Sequence, residues 1–139
     1  MQISTKGRYA MCVMLDLAEH QADGYIALKD IAQRQNISKK YLEQIVAMLN
    51  KSDILKATRG SNGGYMLAKN PSKYTVGMIL KLTEGNLEAV SPDTDIDSDA
   101  ALNSVWNGLN EAIDNYLESI TLQDILDRKR ASYSNDYII

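Results

Sequence analysis

SKKYLEQIVAMLNKSDILKATRGSNGGYML, residues 38–67, is the stretch that decides the fold. Leu42, Ile45, Val46 and Leu49 recur at helical spacing, and Ser38 is placed to cap that helix. Lys39, Lys40, Glu43 and Gln44 fall on the other face, while Tyr41 in the first turn can point to either side. Two short strand-like runs follow, residues 54–58 and 65–68, separated by Arg59-Gly60-Ser61-Asn62-Gly63-Gly64. Glycines there permit positive φ and close backbone approach to a ligand. A helix with a basic start beside a flexible basic hairpin suits duplex DNA, the helix in the major groove and the hairpin on the backbone or minor groove. The expected fold is mainly α with one small β-hairpin: a winged helix-turn-helix domain plus a long dimerisation helix.

Lysines near a helix N-terminus oppose the helix dipole unless an anion is bound. Lys39 and Lys40 are therefore expected to contact phosphate or guanine, with Ser38, Tyr41 and Gln44 as further candidates. Gln44 can pair bidentately with adenine, and Glu43 can accept from cytosine or restrain a lysine. Arg59 is the expected minor-groove or phosphate contact. An ordinary solvated helix face is the alternative, and the adjacent wing favours DNA. The glycine-rich loop lacks the GxxxxGK[ST] spacing and strand-to-helix setting of a nucleotide phosphate loop.

Upstream, Ser4 or Thr5 can cap a first helix to about Gln21, with Tyr9, Ala10, Val13, Met14, Leu17 and Ala18 on its apolar face. Lys6 and Arg8 again sit at a helix start; they are either phosphate contacts or solvated side chains. Cys12, inside this helix, reads as a buried small hydrophobe, with a thiol redox sensor as the alternative. His20 reads as a surface residue at the helix end. After the Asp23-Gly24 turn and a short extended piece, residues 28–34 form a second helix. Asn36 is suited to a left-handed turn, and Ile37 plugs the helix junction.

The charge is divided. Overall it is −3, yet residues 1–84 carry twelve Lys and Arg against seven Asp and Glu, a net +5, and residues 85–139 carry three against eleven, a net −8. This points to a polyanion-binding half and a half with another task. One cysteine excludes a disulfide framework or a multi-cysteine metal site within one chain. With no apolar signal core at MQISTKGRYA and no membrane-length apolar run, a cytoplasmic location is expected.

In the second half, Thr75 caps a helix whose Met78, Ile79 and Leu82 are expected to face the core. Residues 85–97 read as an acidic loop. Asp93, Asp95, Asp97 and Asp99 start like a helix–loop–helix calcium site, but Ser98 and Ser104 stand where that site needs glycine and glutamate, so a solvated linker is expected. From 98 to 120, Leu102, Trp106, Leu109, Ile113, Tyr116 and Ile120 alternate in steps of four and three, the seam of a helix pair; it can fold back on its own domain, but with a core already present in residues 1–84 a two-fold dimer interface is expected, with Trp106 as anchor. Thr121 to Asp124 resembles a capping box opening a short last helix. The expected division is 1–84 for DNA binding, 85–97 acidic loop, 98–130 dimerisation helices and 131–139 a mobile tail.

ISTKGRYA, ISKKYLEQI and ATRGSNGGYML, followed by MILKLTEG and the long helix, together resemble the Rrf-two family of bacterial regulators over nearly the whole chain. The resemblance implies a homodimeric winged-helix repressor or activator on a pseudo-palindromic promoter site, and a repressor is the expected type. By position it assigns DNA contact to Lys6, Arg8, Ser38, Lys39, Lys40, Tyr41, Gln44, Arg59, Gly60, Ser61, Asn62, Gly63 and Gly64. Many members hold an iron–sulfur cluster through three cysteines in the loop before the long helix. Here that loop, EGNLEAVSPDTDIDSDAA, has neither cysteine nor histidine, so no cofactor is expected. The pattern is most similar to the cluster-free branch that represses cysteine metabolism, which implies cysteine synthase as a partner. Asp136-Tyr137-Ile138-Ile139 resembles the tails of serine acetyltransferases, which insert a terminal isoleucine carboxylate into that enzyme; docking on a neighbouring subunit is the alternative. No nucleophile–base pair, metal cluster or phosphate loop supports an enzyme. A protein-interaction module would differ from a DNA binder in lacking steep salt dependence.

Overall fold

The computed structural model describes residues 1–91, 96 and 99–138, with the side chains of 134–138 excepted. Six α-helices and one hairpin occur among them in the order α1 (Thr5–Glu19), α2 (Leu28–Gln35), α3 (Lys39–Asn50), β1 (Leu55–Thr58), β2 (Gly64–Leu67), α4 (Val76–Glu84), α5 (Ala100–Glu118) and α6 (Leu122–Ile138), with short 3-10 turns at Gln21–Asp23 and Pro71–Lys73. Each helix start is set locally. Ser4 Oγ accepts from Gly7 N–H, Ser38 Oγ from Tyr41 N–H, and Thr75 Oγ1 from Met78 N–H. Asn36, at φ 52° and ψ 49°, makes the left-handed turn from α2 to α3, and Ile37 is buried beneath it.

The core joins α1, α3, α4 and the hairpin. Ala10, Val13, Met14, Leu42, Ile45, Leu49 and Ile79 are sealed from solvent. β1 and β2 pair antiparallel with Leu55 opposite Leu67. Ile26 adds one further rung: it exchanges backbone hydrogen bonds with Tyr65 at 2.8 and 2.9 Å. A Cβ at Gly64 would lie 2.2 Å from the Ile26 carbonyl oxygen. Gly64 is therefore part of β2 and required by this close crossing, which corrects its placement in the flexible turn.

On α4, Met78 is 42% exposed, whereas Ile79 and Leu80 are buried and Leu82 is half-buried. Gly77 is buried on the side of α4 that meets Glu118 of α5, where a Cβ would lie 2.3 Å from the carboxylate. Met78 is off the core face that its spacing suggested.

Leu122 and Leu126 of α6 are buried in the same cluster as α1. Val76 N–H donates to the Ile120 carbonyl at 2.8 Å, and Leu122 N–H donates to the Tyr74 carbonyl at 2.9 Å. Ile120 is accordingly buried within its own chain, beyond the end of α5, and does not continue the helical seam. The expected capping box is present: Thr121 N–H donates to Asp124 Oδ2 at 2.9 Å and Asp124 N–H to Thr121 Oγ1 at 3.1 Å. Two boundaries move as a result. The start of α6 packs into the same core as the elements of residues 1–84, and α6 continues to Ile138 through residues assigned to a tail. No glycine or proline follows Leu122 to stop it.

Candidate nucleic-acid interface

Three segments carry the expected contacts. At the start of α3, Lys39, Lys40, Glu43 and Gln44 are exposed, while Leu42, Ile45 and Val46 point inward. Ser38 is the cap of this helix, so its hydroxyl is engaged with Tyr41 N–H at 3.2 Å. Tyr41 resolves to the side: its ring is half-buried edge-on against Tyr9 of α1, with centroids 5.7 Å apart and planes at 82°. That aromatic pair brings the first turns of α1 and α3 together. Lys6 and Arg8 are exposed on α1 there, on either side of the buried Gly7.

The wing is a tight turn. Gly63 N–H donates to the Gly60 carbonyl at 3.0 Å, and Gly60 has φ 107°, a conformation that suits glycine. Arg59, Gly60, Ser61 and Asn62 are exposed; Gly63 and Gly64 are half-buried at the base.

Position, and not pairing alone, marks these cations, because Lys29, Lys51, Lys56, Lys69, Lys73, Arg128 and Arg130 are likewise outside the ion pairs among the described residues. Among the described residues, Arg34 pairs with Asp16, Lys81 with Asp114 and Glu118, and Lys129 with Glu19. Lys6, Arg8, Lys39, Lys40 and Arg59 enter none of the ion pairs. Unneutralised charge at two helix starts and a wing tip is what a phosphate backbone requires.

Asp16 was not anticipated. Its carboxylate is buried and accepts from Arg34 Nε at 2.9 Å, an Arg34 terminal nitrogen at 2.7 Å and Gln35 Nε2 at 2.9 Å. This ties α2 to α1 and so sets the angle at which α3 leaves the turn. Burial pushes the Asp16 carboxyl up, but the bonds from Arg34 and Gln35, with the charges of Arg34 and His20, outweigh it and hold it below the ordinary value. His20, at the end of α1, places Nδ1 2.8 Å from the Asp16 carbonyl oxygen.

Cys12 is exposed, contrary to its expected burial. The register that turns Val13 and Met14 inward turns Cys12 outward, into a depression shared with Thr5, Arg8 and Tyr9.

The long α5 is partnered on its polar side. Lys81 bridges to Asp114 at 2.9 Å and Glu118 at 3.1 Å, and Thr75 Oγ1 donates to Glu118 Oε2 at 2.9 Å. Asn110 clips the preceding loop, accepting from Ala89 and Val90 N–H and donating to the Val90 carbonyl. Its apolar side is left open: Leu102 is 46%, Val105 56%, Leu109 42% and Tyr116 60% exposed, with Trp106 and Ile113 half-buried. Val105 was missed because it falls one residue off the four-three count. Asp99 caps α5 by accepting from Ala101 and Leu102 N–H; Asp93, Asp95 and Asp97 lie outside the described residues. So do the side chains of Asp136, Tyr137 and Ile138, and all of Ile139.

Residues 3–128 match the family described as Rrf2, iron-dependent transcriptional regulator. The chain belongs to the Rrf2 family. Among Rrf2 relatives, the transcriptional regulator CymR of Bacillus subtilis is 38% identical over 97% of this chain and 93% of its own. IscR of Pectobacterium atrosepticum is 35% identical over 93% and 81%. The solved structure of CymR, the global cysteine regulator of B. subtilis, superposes with a TM-score of 0.84 at 37% identity, covering 92% of this chain and 98% of that one. Staphylococcus aureus CymR in its oxidised form gives 0.76 at 34% identity, covering 90% and 95%. The Rrf2 chain described here is thus a DNA-binding transcriptional regulator with a winged-helix fold, and not an enzyme.

Proposed function

We propose that the chain acts in the cytoplasm as a homodimeric repressor on a pseudo-palindromic operator of genes for cysteine or sulfur metabolism. In this reading α3 enters the major groove through Lys39, Lys40 and Gln44. The wing, through Arg59 to Gly63, and the start of α1, through Lys6 and Arg8, hold the flanking backbone. The observation that carries the dimer is the inverted placement of α5. A helix whose Asp114 and Glu118 bridge to its own chain while Leu102, Val105, Leu109 and Tyr116 face water is built for a second copy. No helix among the described residues is long and apolar enough to cross a membrane.

Leu109→Asp should therefore yield a folded monomer by sedimentation, with affinity for a selected genomic duplex reduced on the order of a hundredfold through loss of paired half-sites. A dimer unchanged by this charge places the seam elsewhere.

An iron–sulfur cluster is not part of this reading. The chain has a single thiol, Cys12, on the outer face of α1, and its single histidine is engaged at the end of that helix. The residues present do not supply such a cluster's ligands. For cysteine metabolism, the support is the similarity to CymR, whose structure is described as that of a global cysteine regulator. Cysteine synthase as a partner rests on the sequence Asp136-Tyr137-Ile138-Ile139 alone. Retention of the chain on immobilised cysteine synthase, lost on deleting residues 136–139, would support it; equal retention of both forms removes it.

A further inference from the structure

Glu84, the last residue of α4, reaches eighty positions back to the first helix. Its Oε1 accepts from Ser4 N–H at 2.8 Å and from the Ser4 hydroxyl at 2.6 Å. Ser4 Oγ in turn accepts from Gly7 N–H at 3.0 Å. The carboxylate therefore holds the cap that holds the first turn of α1. It also lies directly against that turn: a Cβ on Gly7 would be 2.3 Å from Glu84 Oε1 and 3.0 Å from Thr83 Oγ1. Gly7 is buried against α4, and its two neighbours, each about 100° around the helix, are Lys6 and Arg8.

A helix start is the turn with the fewest internal hydrogen bonds and the first to fray. Here it also carries two cations that the dipole disfavours. A strut on Gly7 and Ser4 fixes the rotation of this turn, and with it the directions in which Lys6 and Arg8 leave the helix. The strut is continuous with the dimer arm. Gly85, at φ 73°, turns the chain out of α4, and five residues later Val90 is clipped to Asn110 of α5.

We propose that Glu84 is a positioning residue for DNA binding: it orients Lys6 and Arg8 toward the phosphate backbone and links their placement to α5. This rests on the DNA-contact reading of Lys6 and Arg8 given above. Because the interaction needs an acceptor at Oε1 and not a charge, the glutamine amide should replace it, whereas a shorter or absent side chain should not.

The test uses the full-length chain and a short duplex selected from genomic DNA by the unmodified protein. Glu84→Ala and Glu84→Asp should each weaken binding about tenfold and lower the slope of log affinity against log salt by one to two, the share of two phosphate contacts. Glu84→Gln should bind within about twofold of the unmodified chain, on the scale of such differences. In a Lys6→Ala, Arg8→Ala background, Glu84→Asp should cause no further loss, because the groups it orients are gone. Equal loss in both backgrounds, or an unchanged salt slope in Glu84→Asp, overturns the proposal. If Glu84→Ala fails to fold, the Asp and Gln forms decide alone. Should the unmodified chain select no duplex, the DNA-contact reading fails first and this inference falls with it; an unmodified chain that binds beside a Glu84→Asp form that binds equally well removes the inference only.

Discussion

Replacing Lys39 and Lys40 together by alanine should flatten the dependence of log affinity on log salt by about two, because each phosphate neutralised contributes close to 0.9 to that slope. Near-physiological salt should also show the largest loss of binding of any surface change on this chain. Both lysines are exposed, neither is in an ion pair among the described residues, and both stand in the first turn of the helix proposed to enter the groove. Their removal relieves an unfavourable interaction with the helix dipole, so the free protein should be slightly more stable while binding is lost. Opposite signs for stability and affinity separate a binding role from a structural one. Fluorescence anisotropy on a selected duplex across a salt series, with a thermal melt of each form, makes the measurement. A slope identical to that of the unmodified chain would mean that α3 does not face phosphate.

Arg34→Ala should destabilise the chain by about 2–3 kcal/mol at neutral pH, through the buried carboxylate it leaves behind. Asp16 is 1% exposed at its side chain and Arg34 36%, so solvent screens the arginine half and the loss falls short of that for a fully enclosed pair. The melting temperature should drop by roughly 5–10 °C. The pH dependence gives the sign. In the native chain Asp16 titrates below its ordinary value. Its contribution is therefore fully present above the unfolded pKa and is lost as pH falls through the folded one. Without Arg34, burial is left as the dominant influence and pushes the carboxyl up, so acid relieves the variant as it begins to weaken the native chain. The gap between the two, measured by urea unfolding, should be widest near neutral pH and narrow in acid. A gap independent of pH would show that Arg34 acts through packing instead of through Asp16.

What the sequence made legible was local. Asn36 in a left-handed turn, the Thr121–Asp124 capping box and the caps at Ser4, Ser38 and Thr75 are each decided within four residues. The apolar faces of α1 and α3 follow from period alone. Contacts between distant residues were not legible. Asp16 looks like any polar residue on a helix until Arg34 and Gln35 are brought over it. Glu84 reads as a routine helix end, and Gly64 as a turn glycine, until Ser4 and Ile26 arrive from elsewhere in the chain. Tyr41 could not be placed without Tyr9. Short helices mislead for a related reason: α4 offers apolar residues on more than one face, and its packing buries Leu80 and leaves Met78 exposed.

The backbone seam between residues 74–76 and 120–122 gives the chain an unexpected plan. The reading head is not finished at residue 84; it is closed by Leu122 and Leu126, delivered after the arm has gone out and come back. The described residues between Gly85 and Ser119 belong to a cassette that leaves the body at one end of α4 and rejoins it at the other. In the proposed dimer, lengthening or exchanging that cassette would reset the separation of two heads along a duplex while leaving the surface of each head intact.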